Sequence, residues 1–141
     1  MTQTDRTEIR LATPDDLPAL QAMALQLAAD RNEVPRDAAT LHRDAFILPG
    51  TRVLVARAGD RTMGYVLMRL TRDPVTCASG YEIADLFVAP AHRNRGLGRR
   101  LVGAARLLAE AEGRATLSIT PVMAALSRRL GAARALPLAL A

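Results

Sequence analysis

Lysine and tryptophan are absent from this 141-residue chain, cysteine occurs once, and aromatic side chains make up 3% of it. Each shortage excludes something. The lone Cys77 cannot form an internal disulfide, which fits a reducing, cytoplasmic interior. Two Phe, two Tyr and no Trp leave little on which to stack bases, which argues against RNA or single-stranded DNA as a partner. No apolar run reaches the roughly 20 residues needed to span a bilayer, so no membrane segment is expected. The N-terminal MTQTDRTEIR is polar and carries acids, unlike a signal or transit peptide. No Cys/His spacing suits zinc, so no metal is expected, and there is no internal repeat or low-complexity linker.

What the chain does have is arginine, which supplies the whole basic count of 19 and a net charge of +5. Such a balance favours anionic ligands: a phosphate-rich cofactor or nucleic acid, unless it only reflects a composition rich in alanine and arginine. The length is that of one domain over residues 1–141, burying about two thirds of its unfolded surface.

The stretch from Tyr81 to Gly113 organises the rest. Ile83, Leu86, Phe87 and Val88 are strand formers, and Pro90 ends the strand because it cannot donate to a ladder. Further on, Leu97, Leu101, Ala104, Ala105, Leu108 and Ala111 recur at helical spacing, predicting a helix from Leu97 or Gly98 to Gly113. Between them lies a basic turn. Gly96 and Gly98 permit left-handed backbone and close approach of a ligand, and the first-turn N–H groups face outward at the positive end of the helix dipole. Arg93, Arg95, Arg99 and Arg100 surround that point, so a phosphate or diphosphate is the expected guest.

Before this stretch the chain predicts a strand over Glu8 to Ala12. A helix follows with Thr13 as N-cap, Pro14 first and Asp16 three residues on from the cap; its apolar stripe runs through Leu17, Leu20, Met23, Ala24 and Leu27 to about Ala29. Pro18 is discordant and moves the start later. Asp30 to Arg36 is a polar connection; Asp37 caps a second helix with Leu41, Ala45 and Leu48 on one face, and Pro49-Gly50 stops it. Strands are predicted at Thr51 to Arg57 and Thr62 to Leu70, turning at Ala58 to Arg61, with apolar character on both faces. Thr71 to Gly80 reads as a loop, either shaping a substrate entrance or simply joining strands. After the central helix come a strand at Ala115 to Ile119 and a helix opened by Thr120-Pro121, with Val122, Leu126 and Leu130 in phase and Gly131 at its end.

Arg93-Asn94-Arg95-Gly96-Leu97-Gly98, preceded by DLFVAPAHR with its V-x-P at Val88 to Pro90 and followed by RRLVGAA, resembles the R/Q-x-x-G-x-G/A signature of the GNAT N-acetyltransferase superfamily. The element order matches over nearly the whole chain. The resemblance implies an α/β (α+β) GNAT acyl-CoA transferase fold: a mixed central sheet with a splayed parallel strand pair, flanked by about four helices. The end departs from the pattern, because only Ala132 to Ala141 remain for the last strand region. Either that region is shortened or a second subunit completes it, making a homodimer.

The resemblance further implies acetyl transfer from acetyl-CoA to an amine by direct attack. The cofactor's diphosphate would lie on the N–H groups of Arg95 to Arg100 within the Arg93-to-Arg100 turn. Its pantetheine would run along Phe87 and Val88 as an extra strand does, and a backbone N–H near Val88 would polarise the thioester. An alkyl amine is about 99.9% protonated at neutral pH, so a base is needed. Glu82, expected on one strand face with Ala84 and Leu86, and Asp85, expected on the opposite face, occupy a region where the family often carries a carboxylate; each could instead pair with an arginine. Ser127 stands where the family often has an acidic tyrosine, and a hydroxyl is too weak an acid to replace it, though it could hydrogen-bond the leaving sulfur. Thr120 stands where an asparagine often contacts pantetheine, and Ala132 replaces a usual aromatic. Tyr65, Tyr81 or water are other proton sources. Cys77 has no histidine spaced to activate it and reads as structural; His92, beside the turn, and His42 read as surface residues. Two alternatives follow: a non-catalytic acyl-CoA sensor, or a basic nucleic-acid binder using Arg93 to Arg100. The acceptor, a small-molecule or peptide amine, would be read by Asp30 to Arg36 and Thr71 to Gly80.

Overall fold

The structure, a computed structural model, describes residues 6–129, with side chains through residue 126. Nine regular elements follow in order: β1 (Glu8–Leu11), α1 (Leu17–Asp30), α2 (Ala38–His42), β2 (Thr51–Ala58), β3 (Arg61–Arg72), β4 (Ser79–Val88), α3 (Leu97–Ala111), β5 (Thr116–Ile119) and α4 (Pro121–Arg129). The strands form one mixed sheet in the order β1-β2-β3-β4-β5, antiparallel except for the parallel β4/β5 pair. The predicted GNAT architecture, with a parallel pair beside an antiparallel meander and four helices, is the one found. The expected terminal strand at Ala132 to Ala141, with Leu130 and Gly131, lies outside the described residues.

Local chemistry sets the ends. A 3₁₀ turn at Pro14–Asp16 precedes α1, so Pro18 falls in the first turn of the helix, where its missing N–H is no loss. Asp37 caps α2 by accepting the Thr40 N–H at 2.7 Å. The second helix is not uniformly α: after His42 it widens into a π turn at Arg43–Ile47. In α3 the buried face is Leu97, Gly98, Leu101, Val102, Ala105 and Ala109, so the predicted stripe is rotated toward Val102 and Ala109, and Ala111 is exposed. In α4, Met123 and Leu126 are buried whereas Val122 is half exposed, which corrects the phase expected there.

The predicted loop at Thr71 to Gly80 is shorter than expected. β3 continues through Arg72 and β4 begins at Ser79, because Thr71 pairs with Gly80 and Arg72 with Ser79. Ladder hydrogen bonds override the weak strand propensity of Ser79 and Gly80. Only residues 73–78 turn, held by Asp73 Oδ1, which accepts the N–H groups of Val75 and Thr76.

One irregularity changes which side chains share a face. Met68 pairs with Ile83 and Leu67 with Asp85, so Ala84 is an extra residue, a β-bulge in β4. Side chains alternate strictly only within an unbroken ladder. Glu82 opposes Arg69 and Asp85 opposes Leu67, and Arg69 and Leu67 are two apart on β3. Glu82 and Asp85 therefore project from the same face, contrary to the opposite faces that simple alternation predicts. Tyr65 and Phe87, a further cross-strand pair, extend that face.

The other face belongs to α3. A Cβ on Gly64 would meet Leu101 Cδ1 at 3.3 Å, and Tyr81 donates to Glu112 Oε1 just beyond α3 at 2.6 Å. The α1 side covers the Glu82/Asp85 face, where Arg31 at the end of α1 reaches Asp85.

Candidate active site

The turn into α3 is built on two left-handed residues, Asn94 (φ 63°) and Gly96 (φ 78°). Gly96 is the N-cap of α3, and Arg100 is the first residue to return its N–H, to the Gly96 carbonyl at 3.1 Å. The N–H groups of Leu97, Gly98 and Arg99 thus precede the intrahelical ladder at the positive end of a 15-residue helix. Nothing lies within 4 Å of where a Cβ on Gly96 would sit, so the backbone is open to a ligand there. Asn94, Arg95, Arg99 and Arg100 are exposed around it; the Leu97 side chain and Gly98 are buried.

The arginines of this turn are not equivalent. Arg93 Nε donates to the Val88 carbonyl at 2.8 Å, its guanidinium lies over the Phe87 ring at 5.4 Å, and it approaches Asp30 at 3.9 Å. It ties the turn to the end of β4. Arg100 reaches back to the Thr7 carbonyl at 3.3 Å.

Beside this turn the sheet opens. β5 pairs with β4 only from Gly80 to Ile83, and the Thr120 N–H, donating to the Ile83 carbonyl, is the last rung. Beyond Ile83, residues Ala84–Val88 have no β5 partner. The Ala89 N–H turns toward β3, donating to Met63 at 2.8 Å, so by alternation the Val88 N–H and carbonyl face the cleft. Thr120 Oγ1 accepts the Met123 N–H at 3.3 Å and so caps α4, leaving its own proton free to donate. Ser127 falls on α4; its side chain lies outside those described.

On the α1 side of β4, Asp85 is 2% exposed and engages three partners. Arg36 donates to it at 3.0 Å, Arg31 at 3.2 Å and the Tyr65 hydroxyl at 2.9 Å. The connection Asp30 to Arg36 is thereby fastened to the sheet. Burial, then the negative charge of Asp85, pushes the Tyr65 phenol well above its ordinary range. Its proton is committed to Asp85, and a raised pKa makes it a poorer acid still. Tyr81, the other candidate proton source, lies on the α3 face with its proton on Glu112.

Glu82 is half-buried, three residues before Asp85, and has no ion-pair partner among the described residues. Across the ladder stands Arg69, which lines a cavity of about 320 Å³ with Arg36, Asp44, Leu48, Thr51 and Leu67. The structure thus brings Glu82 and Asp85 to one face, and puts Phe87, Val88 and the Arg93-to-Arg100 turn at the adjoining cleft. His92 is half-buried at the turn; Cys77 is exposed at the far end of β4. No cluster of three or more His, Cys, Asp or Glu suited to a metal occurs among the described residues. None of their helices is long and apolar enough to cross a membrane.

Arg31, Arg36 and Arg69 escaped the sequence reading. Arg31 and Arg36 meet Asp85 from 54 and 49 residues away, and in a chain with 19 arginines no local signal singles them out. For Arg69 a hint existed: it interrupts an otherwise apolar strand.

No curated protein matches the chain in sequence. Solved structures share its fold across nearly the full length. The aminoglycoside N-acetyltransferase AAC(6')-Iy in complex with CoA is 17% identical over 100% of this chain and 97% of that chain, with a TM-score of 0.74. A transcriptional regulator from Bacillus halodurans is 19% identical over 96% and 100%, at 0.72. A ribosomal-protein-alanine N-acetyltransferase from Brucella melitensis biovar Abortus is 20% identical over 92% and 93%, at 0.68. The profile of the Acetyltransferase (GNAT) family matches residues 19–136, and with that match the chain belongs to this family of acetyl-CoA-dependent N-acetyltransferases.

Proposed function

We propose that the chain acetylates a primary amine by direct attack on acetyl-CoA, with Glu82 as the base. The observation that carries this is the cleft where β4 parts from β5, opening beside the left-handed Gly96 turn. The N–H groups at the head of α3 that precede its helical ladder suit a diphosphate, and Arg95 and Arg99 add charge without being spent on other described residues. Arg93 positions the turn, since its guanidinium is engaged by Val88 and Phe87. Pantetheine fits along Phe87 and Val88 as an added strand, with the Thr120 hydroxyl as a donor.

Acetyl-CoA supplies the activated thioester. The amine, stripped of its extra proton by Glu82 directly or through one water, attacks the carbonyl carbon. The C–N bond forms, the C–S bond breaks, and the electron pair leaves on sulfur, while the proton that the nitrogen sheds on becoming an amide passes through water to the thiolate. A cleft-facing backbone N–H of β4 between Ile83 and Val88, where β5 no longer pairs, donates to the carbonyl oxygen as charge develops on it. Asp85 serves a different end: bound to two guanidiniums and a phenol, it fastens the Asp30-to-Arg36 connection rather than accepting a proton.

Amine-dependent release of the coenzyme A thiol tests the reading. Glu82→Gln should lower kcat/KM by roughly a hundredfold at neutral pH, with the deficit shrinking as pH rises toward the amine's own pKa. A variant rate within about twofold of wild type removes Glu82 from the mechanism. Tight acetyl-CoA binding without thiol release against any amine would favour the non-catalytic sensor.

A further inference from the structure

Arg69 and Glu82 face each other across the β3/β4 ladder on the α1 side of the sheet. Opposed residues in such a ladder have Cβ atoms about 5 Å apart. Arg69 is exposed, and among the described residues no hydrogen bond or ion pair engages it. The other charges at the cavity are already committed. Arg36 is held by Asp85 and Asp44, and Asp44 is shared with Arg43. Among the described lining residues Arg69 is therefore the guanidinium left to meet a ligand, while the exposed Leu48 side chain offers apolar surface beside the polar groups.

An amine that approaches Glu82 brings whatever is attached a few atoms away to Arg69. We infer that the acceptor is a zwitterion of the amino-acid class: its ammonium meets Glu82, its carboxylate binds Arg69, and an apolar side chain rests on Leu48 in the 320 Å³ cavity. A guanidinium matches a carboxylate in charge and in forked geometry. A polycation such as a polyamine or an aminoglycoside would instead be repelled by Arg69, with Arg36 behind it. This deepens the acetyl-transfer reading and rests on it for the role of Glu82.

The test separates the carboxylate from the chemistry. N-acetylleucine and N-acetylleucinamide lack a titrating amine and differ only in the group that Arg69 would recognise. By calorimetry N-acetylleucine binds wild type about tenfold or more tighter than the amide, a charge-assisted contact, and Arg69→Gln erases the difference. In turnover, Arg69→Gln raises KM for leucine about tenfold or more, with KM for acetyl-CoA as in wild type. Arg69→Glu shifts preference toward diamines. Equal binding of acid and amide to wild type, a preference that survives Arg69→Gln, or spermidine turned over more efficiently than leucine each overturns the inference. If no amine is acetylated, the acetyl-transfer reading fails, while the binding comparison still decides whether the cavity takes a carboxylate.

Discussion

Replacing Asp85 with alanine removes the acceptor shared by Arg31, Arg36 and Tyr65 and leaves two guanidiniums facing an emptied site. Breaking a buried ion pair from one side costs about 3–5 kcal/mol. Here the arginine side chains keep 16% and 23% of their exposure, so water screens part of the loss and the lower end, about 3 kcal/mol, is expected. That is a large share of the roughly 5–15 kcal/mol available to a domain, and corresponds to a fall in Tm of about 10 °C. Urea unfolding measures it: the midpoint drops with little change in slope. Asp85→Asn keeps an oxygen for the Tyr65 hydroxyl but not the charge, and falls between; Tyr65→Phe loses one hydrogen bond, about 1 kcal/mol. A double-mutant cycle with Arg36→Ala should return a coupling above about 1 kcal/mol. Asp85→Ala within about 0.5 kcal/mol of wild type would refute the argument that this carboxylate holds the Asp30-to-Arg36 connection.

Gly64→Ala would place a Cβ 2.6 Å from the Phe87 carbonyl oxygen and 3.3 Å from the Val88 Cα, both backbone atoms of the neighbouring strand. Overpacking of this kind costs about 1–3 kcal/mol, read from denaturant unfolding, and it also shifts the cleft edge at Val88. Asp16 is held below the usual carboxylate range by the Arg10 guanidinium, bound at 2.8 and 3.0 Å, and by the Thr13 N–H, against the opposing effect of burial. A depressed folded pKa adds stability that is present above the unfolded value near 3.9 and is lost as pH falls below it. Asp16→Asn should therefore lower stability at pH 7 and reduce the further loss on acidification below about pH 4, followed by urea midpoints across that range.

How much of this could be read from the chain depends on how local the signal is. The α3 turn was legible because glycine at the helix start and clustered arginines act within a few residues, and Gly96 does adopt the left-handed conformation that only glycine takes cheaply. The succession of strands and helices was legible from apolar runs and punctuating prolines and glycines, and the sheet architecture from the family resemblance. The bulge at Ala84 was not, since alanine carries no mark of it; only the partner strand fixes the register. That single extra residue brought Glu82 onto the face of Asp85, opposite Arg69, which lines the 320 Å³ cavity. The Asp85 network was hidden for a similar reason, because its members meet only once the sheet and α1 have formed.

In the proposed mechanism, backbone amides at the head of α3 hold the coenzyme's diphosphate. Gly96→Val probes it most directly, for its Cβ meets no protein atom within 4 Å and would project into the ligand's space; its left-handed φ of 78° adds local strain of about 1–2 kcal/mol. Isothermal titration of coenzyme A into the folded variant, checked by circular dichroism, should show affinity weakened by about a hundredfold or more, the loss of two to three charge-assisted hydrogen bonds. Coenzyme A bound as tightly as by wild type would contradict it.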